Sequence, residues 1–210
     1  MGVIKRGILG GFSNKVANVV GSSWKGIAVI KSLPLSVANP RTAQQQTQRG
    51  KFASIVHLAG QALAGVVKPL WDRFSHQMSG YNAFIRANIS VMSETGILTP
   101  AQFVISQGTL KTVPFISAVM NSGRDEIFVT WNSSIDGGNG SNTDDVYVCV
   151  IDVTNNNVLY AGTEETRSEG GAEFAITPAP SGANVWVYLA ARAADGRIVS
   201  NTTSGMATTL

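Results

Sequence analysis

The sequence predicts an α+β protein in which an N-terminal β-hairpin arm and helices precede a C-terminal immunoglobulin-like antiparallel β-sandwich. Three observations support this prediction. Glycines separate β-branched stretches at the start, apolar residues recur at helical spacing in the middle, and seven short strand patterns with turn residues between them follow. A chain of 210 residues is long enough for two domains, which we place at residues 1–110 and 111–210.

Residues 1–38 have the composition of a β-arm. Val16–Val20 and Trp24–Leu33 are rich in β-branched and aromatic residues, and Gly21–Ser22–Ser23 between them predicts a turn. An isolated two-stranded hairpin is marginally stable in water. We therefore expect the arm to pack on the helices or on another chain.

The middle of the chain predicts two helices. Asn39–Pro40 favours a helix start, and Pro69 predicts a boundary or kink. A second helical pattern follows Ser79–Gly80, after which Thr99–Leu110 is expected to be extended, with Phe103–Ile105 as a short strand. The apolar face of the first helix contains Phe52, Ile55, Val56, Ala59, Leu63 and Val66.

The C-terminal half predicts a sandwich whose core includes Trp131. The run Val146–Ile151 is apolar at every position, which indicates a central strand that is buried on both faces. The predicted strands are Val113–Val119, Glu126–Trp131, Val146–Val153, Asn157–Tyr160, Ala172–Ile176, Asn184–Arg192 and Ile198–Met206.

Charge is distributed unevenly along the chain. Residues 1–100 contain eleven Lys or Arg and two acids, whereas residues 101–210 contain five and eleven, so the two halves carry +9 and −6. Such asymmetry indicates a different partner for each half. Phe12 and Trp24 lie among the basic residues and are candidate interface residues. The candidate contacts with nucleic acid or with an acidic partner are Lys5, Arg6, Lys15, Lys25, Lys31, Arg41, Arg49 and Lys51.

The residue types that carry catalysis or bind metals are sparse. His57 and His76 lack the spacing of a metal pair, and no Gly-x-Ser-x-Gly elbow is present. Cys149, the single cysteine, lies in an apolar run and is expected to be a buried hydrophobe. The loop Asp136–Asp145 offers oxygen ligands, but it places Ser141 where an EF-hand requires glycine. We expect no enzymatic activity, no cofactor and no metal, and a flexible interstrand loop at Asp136–Asp145.

No stretch approaches 18 apolar residues, so the sequence predicts no membrane span. The apolar stretch after Lys5 and Arg6 is too short for an export signal. We expect the protein to be synthesised in the host cytoplasm and not to be secreted through a signal peptide.

Two resemblances add to this interpretation. The N-terminal part resembles the opening of an uncharacterised domain-of-unknown-function family of Bacteroidota and their phages. The resemblance lies in Gly7–Ser13, Lys15–Val16, Val19–Gly26 and the segment from Asn39 to Phe52. Ala28 stands where that family is expected to have a more polar residue. The resemblance implies an all-β C-terminal part and a phage or prophage context, but it implies no chemistry.

The C-terminal half resembles a fibronectin type III or related immunoglobulin-like domain. The similarity lies in Val129–Thr130–Trp131 and in the alternating Val185–Ala191 segment that precedes Asp195–Gly196. In that family the corresponding tryptophan packs in the core, which is the position expected for Trp131.

These observations favour a structural component of a phage-type virion, such as a capsid-associated, vertex, neck or tail protein. Its expected partners are other virion proteins, in a homo-oligomer or a symmetric particle. Two alternatives remain: a nucleic-acid-associated protein that uses the basic half, and a carbohydrate- or surface-binding module that uses the sandwich loops.

Overall fold

The computed structural model describes residues 3–4, 12–24, 27–36, 41–75 and 77–209. The chain divides into two compact units, Met1–Thr42 and Ala43–Leu210. The described part of the first unit is built on a β-sheet, and the second unit combines helices with two further sheets.

Unit 1 contains a four-stranded antiparallel sheet in which neighbouring strands are consecutive in the chain. Its strands are β1 (Val3–Ile4), β2 (Phe12–Val16), β3 (Val19–Trp24) and β4 (Ile27–Ser32). The predicted β-arm is therefore confirmed, as a meander rather than a single hairpin.

The turn predicted at Gly21–Ser23 is wrong. These residues lie inside β3, where Gly21 pairs with Ile30 and Ser22 pairs with Val29. The chain reverses instead at Ala17–Asn18, where Ala17 has a φ of 51°. Asparagine favours turns because its side chain can bond to nearby backbone. Asn18 was therefore the turn signal in this segment, but the prediction followed the Gly-Ser-Ser composition instead.

Unit 2 begins with a bent helix. Helix α1 spans Ala43–Gln61, a π-helical turn spans Leu63–Val67, and α2 spans Lys68–Trp71. The axis bends by 75° at the break between α1 and the following helical segment. The bend predicted near Pro69 lies about two turns before it, where the amides of Val67 and Lys68 bond to the carbonyls of Ala62 and Leu63 in the wide i→i−5 pattern of a π-helical turn.

Helix α3 spans Gly80–Asn88, so the helical pattern predicted after Ser79–Gly80 is confirmed, and the structure adds an N-terminal cap. The Ser79 hydroxyl accepts a hydrogen bond from the Asn82 amide at 3.3 Å. Phe84 and Ile85 on this helix are buried. A 3₁₀ turn at Ile89–Val91 ends the helical region.

The strand predicted at Phe103–Ile105 is wrong. A 3₁₀ turn at Pro100–Gln102 leads into irregular backbone whose amides bond to side chains rather than to a strand. Val104 donates to Asn88 Oδ1 and Ile105 donates to Thr202 Oγ1, both at 2.8 Å. Side-chain acceptors satisfy these amides, so the apolar run fills the core without joining a sheet.

The predicted C-terminal sandwich is confirmed. One sheet has the strand order β11-β10-β7-β8, and the other has the order β12-β5-β6-β9. All pairings are antiparallel except that of β12 with β5. The strands are β5 (Phe115–Met120), β6 (Glu126–Trp131), β7 (Asp145–Asp152), β8 (Asn157–Thr166), β9 (Gly171–Ala175), β10 (Val185–Arg192), β11 (Thr203–Met206) and β12 (Thr208–Thr209).

The β11-β10-β7-β8 sheet is the middle layer of unit 2 and is covered on both faces. Val146, Val148 and Val150 of β7 belong to the core between the two sheets. Tyr147, Cys149 and Ile151 belong to a second core, which they share with the helices. The prediction that this strand is central and buried on both faces is confirmed.

An aromatic series joins the helices to the middle sheet. Trp71, Phe84, Phe103 and Tyr188 make successive edge-to-face contacts, with ring centroids 6.0, 5.8 and 5.2 Å apart. The Trp71 indole also donates to the carbonyl of Ile105 at 2.7 Å. The boundary expected between residues 110 and 111 therefore falls inside one compact unit, since helices and sandwich share a core.

Within the described residues, no single helix has both the length and the apolar character that a membrane span requires. Two consecutive helical segments, Ala43–Gln61 and Leu63–Trp71, meet the length and composition criteria for a span only when they are taken together, and a 75° bend separates them.

Two glycines on the bent helix test this packing. A Cβ on Gly65 would lie 1.9 Å from the carbonyl oxygen of Ala161 on β8, whereas a Cβ on Gly60 would meet nothing within 4 Å. We expect Gly65→Ala to lower the free energy of unfolding by about 2 kcal/mol, because a backbone must move. The matched control Gly60→Ala should leave it unchanged or raise it by up to about 1 kcal/mol. Urea denaturation measures both, and equal stabilities of the two variants would contradict the packing.

Candidate functional site

Five of the sequence-predicted contact residues can be placed with their side chains. Lys15, Lys31, Arg41 and Arg49 are exposed, and Lys51 is partly buried. The others are outside what the structure describes: Lys5, Arg6 and Lys25 lie beyond the described residues, and for Phe12 and Trp24 only the backbone is described.

The sheet of unit 1 brings two of these lysines onto one face. Val20 on β3 pairs with Lys15 on β2 and with Lys31 on β4. Directly paired residues share a face of the sheet, and so do residues two apart on a strand. Ser22 and its partner Val29 therefore lie on the same face. We call this set, Lys15, Val20, Ser22, Val29 and Lys31, the basic face.

The opposite face of this sheet, which we call the apolar face, exposes the aliphatic residues Val16, Val19 and Ile30 beside Asn14 and Ser32. Val16 pairs with Val19, and Gly21 pairs with Ile30. Half of the surface of Val16 and 61% of that of Ile30 remain accessible. Contiguous exposed aliphatic side chains are typical of surfaces that bind a partner.

Helix α1 carries Arg49 and Lys51 beside an exposed aromatic residue. Phe52, which the periodicity places on the buried face, is 51% exposed. It lines a shallow groove together with Gln48, Arg49, Ala53 and Val56. The buried face of α1 is formed instead by Ser54, Ile55, Leu58 and Ala59, so the expectation for Phe52 is wrong. Helix α1 is therefore rotated about its axis relative to the predicted orientation, because this row of residues is the one that packs against α3 and β8.

Sequence reasoning missed a second surface, the outer face of the β12-β5-β6-β9 sheet. Val119 on β5 pairs with Phe128 on β6, and Phe128 pairs with Glu173 on β9. In the adjoining rows of the same face Thr130 pairs with Ser117, and Glu126 pairs with Ala175. We call the set Ser117, Val119, Glu126, Phe128, Thr130 and Glu173 the acidic face.

The acidic face combines an apolar centre with a charged rim. Phe128 is 48% exposed, and outside this set Ile116, at the bulge of β5, is 61% exposed. Glu126 accepts a hydrogen bond from the Asn121 amide at 3.1 Å. Among the described residues neither Glu126 nor Glu173 forms a salt bridge. The sequence did contain a signal for this face. Glu126, Phe128 and Thr130 are the outward-facing positions of β6, and because such positions in an antiparallel strand are ordinarily polar, the phenylalanine among them is unusual.

A buried ion pair fixes the loop that offered oxygen ligands. Arg167 is fully buried and its Nε lies 3.1 Å from Asp144 Oδ2. The same guanidinium donates to the carbonyls of Lys111 and Thr112. Asp144 also accepts the Ser141 amide at 2.8 Å. This carboxylate therefore serves a structural pair, and the loop predicted to be flexible is held at its C-terminal end.

Within the described part of the chain, no group of three or more His, Cys, Asp or Glu residues could hold a metal ion. His57 lies 3.2 Å from Asn157 Oδ1 at an exposed position. Burial raises the pKa of the Cys149 thiol to about 12 and also raises the pKa of Tyr188, which keeps both groups protonated and unreactive near neutral pH.

The family described as "Family of unknown function (DUF6266)" matches residues 11–204. The chain belongs to this family. No curated protein shows significant sequence similarity to it. The match to DUF6266 includes residues of both units and carries no activity with it.

Two solved structures show distant similarity to the DUF6266 chain. One is an Fn3-like protein from Clostridium thermocellum, which is 17% identical, with a TM-score of 0.32 over 49% of this chain and 95% of that one. The other is the adhesin domain of Epf from Streptococcus pyogenes, which is 11% identical, with a TM-score of 0.33 over 47% of this chain. The matched part spans about a third, 32%, of the adhesin chain.

Cys149 gives a direct test of the two-sided burial of β7. The raised pKa of Cys149 means that folding favours the protonated thiol. The stabilisation that this thiol gives the folded state is complete below the pKa of the thiol in the unfolded chain, and it is lost as the pH rises towards about 12. At a pH of about 8 we expect a thiol reagent to leave the native protein unlabelled and to label it fully after unfolding. Ser181→Cys, at an exposed site, provides the control that must label at once. Rapid labelling of native Cys149 would contradict the packing.

Proposed function

We propose that this protein is a structural component of a phage-type particle and that it acts through protein–protein assembly. The observation that carries the proposal is the acidic face, where half-exposed Phe128 has Glu173 directly opposite it and Glu126 two residues away on the same strand. An apolar centre with a polar rim is the usual anatomy of a protein interface.

The layering of unit 2 supports this interpretation. The middle sheet is covered by helices on one side and by the outer sheet on the other, so the fold needs nothing further on those faces. The outer sheet keeps large apolar side chains on the face that its own unit leaves open. Burial of such side chains stabilises a complex by roughly 25 cal/mol for each Å² removed from water.

Unit 1 supplies a second assembly element. Its apolar face exposes Val16 and Ile30, and its sheet is only four short strands wide. A partner chain that packed on the apolar face, or paired with an edge strand, would bury surface that the sheet alone leaves in water. The phage setting is the part of the proposal that rests on the resemblance of residues 7–52 to a family of Bacteroidota and their phages.

Nucleic-acid association is the second candidate, and the basic face favours it. Lys15 and Lys31 lie in one row of the sheet, Arg41 lies two residues before α1, and Arg49 and Lys51 lie within α1. Several phosphate contacts would make the affinity fall steeply as salt rises. Assembly is the better supported function because exposed apolar side chains accompany the charges on both units.

Light scattering coupled to size exclusion separates the two candidates. For the full chain we expect oligomers whose mass is unchanged by nuclease, because protein surfaces hold them together. Loss of the oligomer on nuclease treatment, with nucleic acid bound only at low salt, would contradict assembly and support the second candidate.

The phage setting has its own test. Particles released from a host that carries the gene should contain this chain at a fixed ratio to the other particle proteins after gradient purification, as measured by mass spectrometry. A chain that stays at the top of the gradient in every preparation would contradict a virion role.

A further inference from the structure

We propose that the acidic face of one copy of this chain docks on the basic face of a second copy. The inference rests on the proposed assembly function and names the partner of that surface. Both faces are antiparallel sheet surfaces on which an aliphatic or aromatic side chain has two charged neighbours, and their charges are opposite.

The acidic face presents two carboxylates at a defined spacing. Glu173 lies directly opposite Phe128, and Glu126 is two residues from Phe128 on the same strand. The two glutamates are therefore diagonal neighbours, with Cα atoms about 7–8 Å apart. Both are exposed, and within the described part of the chain neither has a cation as partner.

The basic face presents two lysines whose backbone positions are somewhat farther apart. Lys15 and Lys31 lie on strands β2 and β4, either side of Val20, so their backbones are about 10 Å apart. Each lysine has a flexible four-carbon stem that can adjust its position by a few ångströms. Val20 and Val29 would lie against Phe128 and Val119 when the lysines meet the glutamates.

The charge distribution of the whole chain favours a second copy as the occupant. Residues 1–42 contain six Lys or Arg and no acid, whereas residues 43–210 contain ten and thirteen, so the units carry +6 and −3. Opposite potentials on two different surfaces of one protein attract copies of that protein. Because the two surfaces differ, each contact is heterologous: two reciprocal contacts close a dimer, and successive contacts form a larger ring or a filament.

Paired charge reversals in the full chain test the contact. Lys15→Glu with Lys31→Glu, and separately Glu126→Lys with Glu173→Lys, should each raise the dissociation constant of self-association at least about tenfold, since like charges then oppose each other. Mixing the two variants restores opposite charges, and association should return. Sedimentation velocity across a concentration series measures each case.

Matched controls make the same charge changes elsewhere. Lys68→Glu with Arg86→Glu alters exposed cations on the helices of unit 2, and Glu94→Lys with Glu169→Lys alters exposed acids. These controls should associate like the unmodified chain. All altered side chains are exposed, so circular dichroism should show native spectra for every variant.

The outcomes separate this inference from the function on which it rests. If the unmodified chain associates and the reversals leave that association unchanged, the docking surface is wrong while assembly stands. If the mixture of reversed variants fails to associate, the pairing of these two faces is wrong. A chain that stays monomeric at every concentration overturns homotypic docking, and particle purification then decides the virion role by itself.

Discussion

The middle sheet of unit 2 is apolar on both faces, and the rest of the unit follows from covering it. Strands β7 and β10 alternate side chains between two cores, so neither face can be left in water. The second sheet covers one face, and the bent helix with α3 covers the other. Aromatic contacts join the helical layer to that sheet through Trp71, Phe84, Phe103 and Tyr188. Gly65 permits the close approach of the bent helix to β8.

The same constraint explains where the candidate surfaces lie. Once both faces of the middle sheet are covered, the open sheet face of this unit is the outer one, and Phe128 lies there between carboxylates. Side chains inside the layers serve stability, as the buried Arg167–Asp144 pair illustrates. The outer face and the sheet of unit 1 are the places where apolar and charged side chains share an exposed surface.

Much of the fold was predictable because its signals are local. The apolar run at Val146–Ile151 indicated a strand buried on both faces, and Ser79 marked a helix start. The strand expected at Phe103–Ile105 failed because its amides bond to Asn88 and Thr202, and Thr202 is remote in sequence. The acidic face was missed because its glutamates come from β6 and β9, and only strand register brings them together. The pairing of Lys15 with Lys31 across Val20 depends on register in the same way.

Hydrogen exchange on the full chain tests the central claim most directly. If the helices and the sandwich form one cooperative unit around the middle sheet, amides of Ile55–Ala59 should exchange only through the same global opening as those of Val146–Val150. Their opening free energies should then agree and fall together when denaturant is added. Helical amides that open at clearly lower free energy, while β7 stays protected, would show that the sandwich folds without its helical layer and would contradict the account.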